Sequence, residues 1–378
     1  MKKTALKHSS AIRESGIVDS LVRNARDEEE SPVAVNTKNK GIVITQTPFR
    51  ISFFGGGTDF SDYFNESCGA VIGTAINKFV YVTINSLERF LERKIRLSYS
   101  KLEEVNSVNE IQHDIVRVIL QDHPLWEDDT FWDIHTFADL PAACGMGSSS
   151  SFAVGMLNSM YLSRHIHKTP KALATEAIHI EREILKEKGG WQDQILAAYG
   201  GLNRIDFRNN SFSVTPICLS PEKLNALEKS CMLFFTHRLR SSDDVQNDVM
   251  SCDKLNRRKC LNEMMAYVEE AHGILTKVGS PQAMVRELGS LLGQAWETKK
   301  RMSKTVSDED IDRIYELGLS AGAYGGKLCG AGKGGFLLFI VPKDKRAIVA
   351  DALKYYHNTA ISFERFGSHA LYSQSISD

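Results

Sequence analysis

The stretch that most constrains this 378-residue chain is Gly145-Met146-Gly147-Ser148-Ser149-Ser150-Ser151. A Gly-x-Gly turn runs there into four serines. It continues into a segment with Phe152, Met156 and Met160 four apart, the spacing of one helix face. Glycine lets a backbone crowd a ligand. The first-turn amides of a helix lack intrahelical partners, and the macrodipole favours negative charge beside them. One serine would suffice as an N-cap, so the remaining hydroxyls are free to reach a phosphate oxygen or a metal. The stretch predicts an anion site at a helix start.

Two further glycine clusters flank it. Gly55-Gly56-Gly57-Thr58-Asp59 follows the strand-like Arg50-Ile51-Ser52-Phe53-Phe54. Its glycines allow close approach to a bound molecule, and Asp59 can accept hydrogen bonds from hydroxyls. A turn with an Asx cap is the alternative. Gly330-Ala331-Gly332-Lys333-Gly334-Gly335 formally matches G-x-G-x-x-G, but a strand follows where a dinucleotide fingerprint needs a helix. Lys333 is followed by glycine, which rules out a Walker loop. The cluster is either a structural turn or a loop able to close on a ligand.

Residues 1–40 carry a weakly amphipathic stretch (Ile12, Ile17, Val18, Leu21, Val22) and the acidic run from Asp27 to Glu30, and read as an appended helix plus linker. Strand patterns begin at Gly41. The β-branched and aromatic run 70–86 predicts two strands or one long bent one. Helical periodicity appears at 111–120, 148–165 and 171–188, the last stopped by Gly189-Gly190. Beyond a division near 220–228 come a strand at Cys231, helices over about 244–277, 281–300 and 308–321, and a strand from Phe336. Strands in sequence without regular βαβ alternation indicate an α+β fold. The expected parts are an extension at 1–40, a first domain at 41–222 and a second at 223–378.

With 46 basic and 47 acidic side chains, no net field favours nucleic acid or a membrane surface. An anionic substrate must be met by a local cluster of cations. The seven cysteines form no C-x-x-C pair and read as reduced thiols. No apolar run approaches the length of a membrane span, so the expectation is a cytoplasmic protein, with a homodimer left open.

Taken together and in order, with Pro48-Phe49-Arg50 before the first, the three clusters resemble those of the GHMP kinase superfamily over roughly residues 41–375. Within it the chain looks most similar to D-glycero-D-manno-heptose 7-phosphate kinases. The likeness is carried by Thr47 to Asp59, Leu97 to Ser100, His113 to Arg117, and Gly190-Trp191-Gln192-Asp193-Gln194. The resemblance implies a two-domain α+β GHMP kinase fold, with a ribosomal-protein-like N-terminal domain and a ferredoxin-like C-terminal domain. It also implies an ATP- and Mg²⁺-dependent kinase that phosphorylates the anomeric hydroxyl of a small sugar phosphate. Gly145, Met146, Gly147, Ser148, Ser149 and Ser150, with Tyr99 and Ser100, would bind the nucleotide. Ser148 and Glu181 would hold Mg²⁺, and Asp193, steadied by Arg50, would act as base. Gly55, Gly56, Gly57, Thr58 and Asp59, the loop Gly330, Ala331, Gly332, Lys333 and Gly334, and Arg240 would meet the sugar phosphate, with Lys333 and Arg238 as further cations for its phosphate.

Three positions depart from that pattern: Ala143, His237 and Lys333 each stand where the family tends to have glycine. Apart from the resemblance, Glu181 reads as a solvated carboxylate paired with Arg182 or Lys188, and Asp193 as a helix N-cap. Other functions weighed are a kinase for fucose, galactose or a related hexose, and a ligand-sensing regulator on a kinase scaffold. A nicotinamide-dependent oxidoreductase fits only the G-x-G-x-x-G match.

Overall fold

The computed structural model describes residues 40–87, 92–122, 131–239, 254–303 and 305–376. All of the extension expected at 1–40 except Lys40, which begins a strand, lies outside these residues, as do the 244–253 part of the expected helix and Arg240.

Strands β1 (Lys40–Phe54) and β2 (Gly69–Leu87) form the long central ladder, antiparallel from Ile42 opposite Asn85 to Phe54 opposite Ile72. The run read as two strands or one bent strand is one strand. Its register shifts opposite Pro48 and Phe49, and Pro48 has no N–H to give the ladder. Because β2 is so long, its two halves serve different neighbours. Strands β3 (Ile95–Ser98), β4 (Leu102–Val105) and β5 (Phe131–Ala138) extend the sheet from its second half. Strands β6 (Leu202–Arg208) and β7 (Ser211–Pro216) extend it from the first. A smaller antiparallel sheet comprises β8 (Cys231–Phe235), β9 (Gly325–Leu328), β10 (Phe336–Ile340) and β11 (His357–Thr359), in the order β11-β8-β10-β9. The last strand, β12 (His369–Ile376), returns to pair with β1. The segment 223–378, expected as a unit, thus supplies a strand to the first sheet.

Among the helices, α1 (Asp114–Asp122) lies before β5, and α2 (Ser148–Leu162) is the central helix. Sequence periodicity gives α2 one apolar face, yet it is buried on every side from Ser150 to Leu162. It packs on β1 at Gly155, where an added Cβ would lie 2.7 Å from Thr47 Oγ1. Thr45 and Ser159 join their hydroxyls across the same contact at 2.6 Å.

The helix expected over 171–188 is shorter. Helix α3 (Pro170–Ile178), capped by Thr169, gives way to a π-helical segment, His179–Ile184, in which the Leu185 N–H reaches back five residues to Ile180 O. Lys186 is left-handed, at φ 57°, and ends the helix before Gly189. One turn of π-helix re-aims the side chains it carries, and such turns recur at functional sites. Here it carries Glu181. Helix α4 (Gln192–Tyr199) follows.

After α5 (Pro221–Ser230), helices α6 (Lys254–Thr276) and α7 (Pro281–Met302) form an antiparallel pair. The second is started by Ser280, whose hydroxyl accepts the Ala283 N–H, and by Pro281. Helix α8 (Glu309–Ser320) is capped by Asp308. One apolar core runs continuously from Phe49 to Ile340 through both sheets, with a smaller one around Trp296, Phe234 and Phe339. Between the N-terminus of α2, the end of β1 and helices α6 and α7, a cavity of about 220 Å³ remains. Among the described residues no helix is long and apolar enough to cross a membrane.

Candidate active site

The serine run does begin α2, but no serine caps it. The N-cap is Gly147 at φ 81°, with no side-chain bond to the first-turn amides. Ser148, Ser149 and Ser150 line the cavity with Gly145 and Gly147, so the open first turn of a buried helix faces the cavity. Met146 is fully buried in the core instead.

Arg50 and Asp193 meet at this turn. Arg50 Nε donates to Asp193 Oδ1 at 2.8 Å and Nη2 to Oδ2 at 2.7 Å, while Nη1 donates to Gly145 O at 2.9 Å. Arg50 is buried. Burial acts to lower its pKa, but Asp193's charge and hydrogen bonds outweigh that and raise it above the ordinary guanidinium value. An added Cβ at Gly147 would lie 3.4 Å from Asp193 Oδ2. The carboxylate therefore lies against the phosphate-type loop. The N-cap reading of Asp193 gives way, since Asp193 lies inside the first turn of α4 after the N-cap residue Trp191.

Glu181 is fully buried, which overturns its reading as a solvated carboxylate. Its Oε2 accepts from Ser150 Oγ at 2.8 Å and from Gln194 Nε2, and its Oε1 has no partner. The serine that reaches Glu181 is Ser150, not Ser148. A buried carboxylate oxygen without a donor, on a cavity wall beside a helix N-terminus, is what a cation site needs. Among the described residues no group of three or more His, Cys, Asp or Glu could cage a metal. Mg²⁺ fits that arrangement, because it is usually held by one or two carboxylates together with substrate phosphates.

The first glycine cluster divides. Gly55, Gly56 and Gly57 line the cavity; Thr58 and Asp59 do not. Gly55, at φ 85°, passes so close to β2 that an added Cβ would lie 1.9 Å from Ala70 O. Thr58 Oγ1 bonds with Gly55 O and Ala70 O, both at 2.8 Å. Asp59 is fully buried and accepts the N–H groups of Gly57 at 2.9 Å and Gln192 at 3.2 Å. Its expected role as a hydroxyl acceptor for the sugar is corrected: the carboxylate is committed to tying this loop to the start of α4.

Gly330, Ala331, Gly332 and Gly334 also line the cavity. An added Cβ at Gly330 would lie 2.6 Å from Gly145 Cα, so the second and third clusters touch through their backbones. Lys333 does not line the cavity, and its N–H anchors the loop to Val306 O at 2.9 Å. Arg238 is bound to Asp308 at 2.6 Å and to Asp310, and is thereby removed as a cation for the substrate. Tyr99 and Ser100 are not brought to the cavity. The Tyr99 hydroxyl donates to Glu103 at 2.7 Å and its ring meets His113.

Sequence reasoning missed several lining residues. Ser52 Oγ and Gln192 Oε1 are buried without partners, and an added Cβ at Gly56 would lie 3.8 Å from Ser52 Oγ and from Gln192 Nε2. Lys327 Nζ donates to Ser52 O at 2.9 Å and Phe53 O at 3.2 Å, and Lys299 Nζ to Gly330 O. Burial, reinforced by neighbouring cations, lowers Lys299 to about 7 and Lys327 to about 8. Leu261, Met264, Trp296 and Met302 complete an apolar wall. Ser52 and Gln192 lie inside stretches that carry the family likeness, although the likeness assigns them no role. The lysines and the apolar wall come from β9, α6 and α7, where no local motif marks them.

Comparison with known proteins identifies the family. The description of the GHMP kinases N-terminal domain matches residues 110–201, and that of the GHMP kinases C-terminal domain matches residues 282–358. The D-glycero-alpha-D-manno-heptose 7-phosphate kinase of Campylobacter jejuni is 31% identical over 327 residues, 82% of this chain and 92% of that protein. A putative sugar kinase structure from the same species aligns at TM-score 0.65 and 26% identity, over 90% of this chain and 99% of the other. A D-glycero-D-manno-heptose 1-phosphate kinase structure from Bacteroides thetaiotaomicron shares the fold at TM-score 0.70, with 23% identity, over 89% of this chain and all of the other. The chain belongs to the GHMP kinase family of phosphotransferases.

Proposed function

We propose that the protein is an ATP-dependent sugar kinase that phosphorylates the anomeric hydroxyl of D-glycero-D-manno-heptose 7-phosphate. The product would be the 1,7-bisphosphate, made in the cytoplasm for nucleotide-activated heptose and surface polysaccharide. The observation that carries the kinase chemistry is Asp193, held by two bonds to Arg50 and lying against Gly147 at the open N-terminus of α2. A base beside an anion site puts an acceptor hydroxyl next to a donor phosphate. Similarity to the Campylobacter kinase, extended over most of both chains, supports the choice of sugar.

Phosphoryl transfer leaves the protein mostly positioning and charge stabilisation to do. The first-turn amides of Ser148, Ser149 and Ser150 would receive the ATP phosphates. Glu181, through its unpartnered Oε1, with Ser150 or Ser148 beside it, would hold Mg²⁺, which when bound neutralises phosphate charge. Asp193 would accept the proton of the sugar hydroxyl. The hydroxyl oxygen forms the new bond to the terminal phosphorus as the bond from that phosphorus to the ADP oxygen breaks, and ADP departs. Arg50 keeps Asp193 aimed. Ser52 and Gln192, each with a buried unpartnered oxygen and a side chain close to Gly56, offer partners for the remaining sugar hydroxyls.

The test is ATP consumption with heptose 7-phosphate, unphosphorylated heptose, fucose and galactose as acceptors. Turnover of heptose 7-phosphate at least a hundredfold above the others is expected. Preference for fucose or galactose would overturn the assignment while leaving a GHMP sugar kinase.

A further inference from the structure

The cavity wall holds more positive charge than the phosphotransfer site uses. Arg50 is paired with Asp193, Arg257 with Asp62 at 2.8 Å, and Arg182 donates to the carbonyls of Gly190 and Glu187 with the Glu187 carboxylate at 3.9 Å. Lys299 and Lys327 have no such carboxylate. Among the described residues the ammonium of Lys327 touches only the carbonyls of Ser52 and Phe53, and that of Lys299 only Gly330 O and the Trp296 ring. Each keeps donor capacity unspent, since an ammonium has three N–H bonds.

Two partly dehydrated cations near each other and near Arg50 are costly unless an anion completes them. Besides burial, Arg50 acts to lower both lysines, and Lys327 acts to lower Lys299, so the ammonium groups lie near that guanidinium. Lys327 is bound at the end of β1 that leads into Gly55–Gly57 and Lys299 to Gly330, so the pair reaches the two glycine loops expected to meet the sugar phosphate. Lys327 is fixed to the carbonyls of Ser52 and Phe53, two and three residues along β1 from Arg50, on the strand that carries the Arg50 side of the pair with Asp193.

We propose that Lys299 and Lys327 form the subsite for the phosphate monoester of the sugar substrate, in the cavity they share with the Arg50–Asp193 pair. The proposal rests on the sugar-phosphate reading above. It assigns to buried Lys327 and half-buried Lys299 the role that sequence reasoning gave to Arg240, Lys333 and Arg238. The apolar side of Trp296 and Met302 next to the lysines strengthens a charge-assisted bond by excluding water.

The full chain carrying Lys299→Met or Lys327→Met tests this. The ratio of kcat/KM for heptose 7-phosphate over unphosphorylated heptose should fall tenfold to a hundredfold in each, as expected for a lost charge-assisted bond. ADP affinity by calorimetry should change less than about twofold, which also shows that each variant is folded. Lys299→Arg should recover part of the loss. An unchanged ratio overturns the subsite, and so does a loss of ADP affinity matching the loss for the sugar, which would place the lysines on the nucleotide phosphates. A second arm keeps the two readings apart: calorimetry of the wild type and both variants with inorganic phosphate and no nucleotide. Lysine-dependent phosphate binding supports the subsite even if heptose 7-phosphate is not turned over. Turnover of heptose 7-phosphate with no lysine-dependent phosphate binding overturns the subsite and leaves the function standing.

Discussion

The Asp59 carboxylate accepts the Gln192 N–H at 3.2 Å, and its own backbone carbonyl accepts the Trp191 N–H at 3.1 Å. Asp59 thereby stands in for the cap that α4 lacks, from 133 residues away in sequence. The pairing fits around Gly190, where an added Cβ would lie 1.8 Å from Asp59 Oδ2. A chain of contacts so joins the first glycine cluster to the helix that presents Asp193.

Replacing that carboxylate should disturb position more than binding. Asp59→Ala leaves the Gly57 and Gln192 N–H groups without their acceptor, at a cost of about 1–3 kcal/mol each before water enters. Thermal unfolding should fall by several degrees. In the fraction that folds, kcat should drop more than ADP affinity. A variant with wild-type melting temperature and an elevated KM for sugar alone would restore Asp59 to the sugar contacts.

Asp193→Asn separates chemistry from binding. The amide keeps the shape but cannot take the hydroxyl proton, and general-base contributions run about 10²–10⁴-fold. Turnover should fall by at least a hundredfold with ADP binding nearly unchanged. Stability should also fall, because the buried Arg50 loses its charge partner. Undiminished turnover would end the mechanism.

Glu181→Gln addresses the cation. The amide can still bond Ser150 and Gln194 but loses its charge, so the Mg²⁺ concentration for half-maximal rate should rise about tenfold or more. Titration of activity with MgCl₂ reads this. An unaltered Mg²⁺ requirement would exclude Glu181 as a ligand.

The three positions where the resemblance leads one to expect glycine coincide with three strained residues. Ala143 has φ 59°, His237 φ 59° and Lys333 φ 58°, all left-handed. The backbone bend remains while the residue that suits it does not. Relief of that strain, about 1–2 kcal/mol, exceeds the entropy a glycine adds to the unfolded chain. Ala143→Gly should therefore stabilise the protein by about 0.5–1 kcal/mol in urea unfolding. His237 makes a poorer test, since its ring bonds Tyr355 O and packs on Phe235. Loss of stability in Ala143→Gly would show that the methyl makes contacts outweighing the strain.

Much of the fold was legible because its signals are local. The serine run opens a helix as its neighbouring residues indicate, and a helix begins at 281 as expected, whereas the helix expected to run up to Gly189-Gly190 stops earlier, at the left-handed Lys186. The interior of α2 defeats periodicity, because a helix buried on all sides has no polar face to mark it. The π-helical turn was invisible for a related reason: nothing in His179 to Ile184 announces one extra residue per turn, yet that turn carries Glu181, which lies buried against Ser150 and Gln194. Arg50 and Asp193 were legible through the family motifs. Lys299 and Lys327 were not, because a lysine near the end of α7 and another in β9 look like ordinary surface charge until the sheets assemble. Conversely, Asp59 and Arg238 looked available in sequence and are taken up by partners inside the fold.

The two lysines also predict how ligand-free stability depends on pH. Each is lowered by burial, Lys299 to about 7 and Lys327 to about 8, against an ordinary value of 10.5 in the unfolded chain. Between about pH 7 and 10.5 the unfolded chain then binds more protons than the folded one, so these residues make stability rise with pH over that window. Below pH 7 both lysines are charged in both states and the full cost of burying them is felt. Other groups titrate in the same range, so the readout is a difference: urea midpoints at pH 6.5 and pH 9.5 for wild type and for Lys299→Met/Lys327→Met. The double variant should be the more stable protein at pH 6.5, and its advantage should shrink at pH 9.5. Saturating inorganic phosphate should close the gap at pH 6.5 by supplying the missing counter-charge to the wild type. A constant advantage across the two pH values would mean that neither lysine changes protonation on folding.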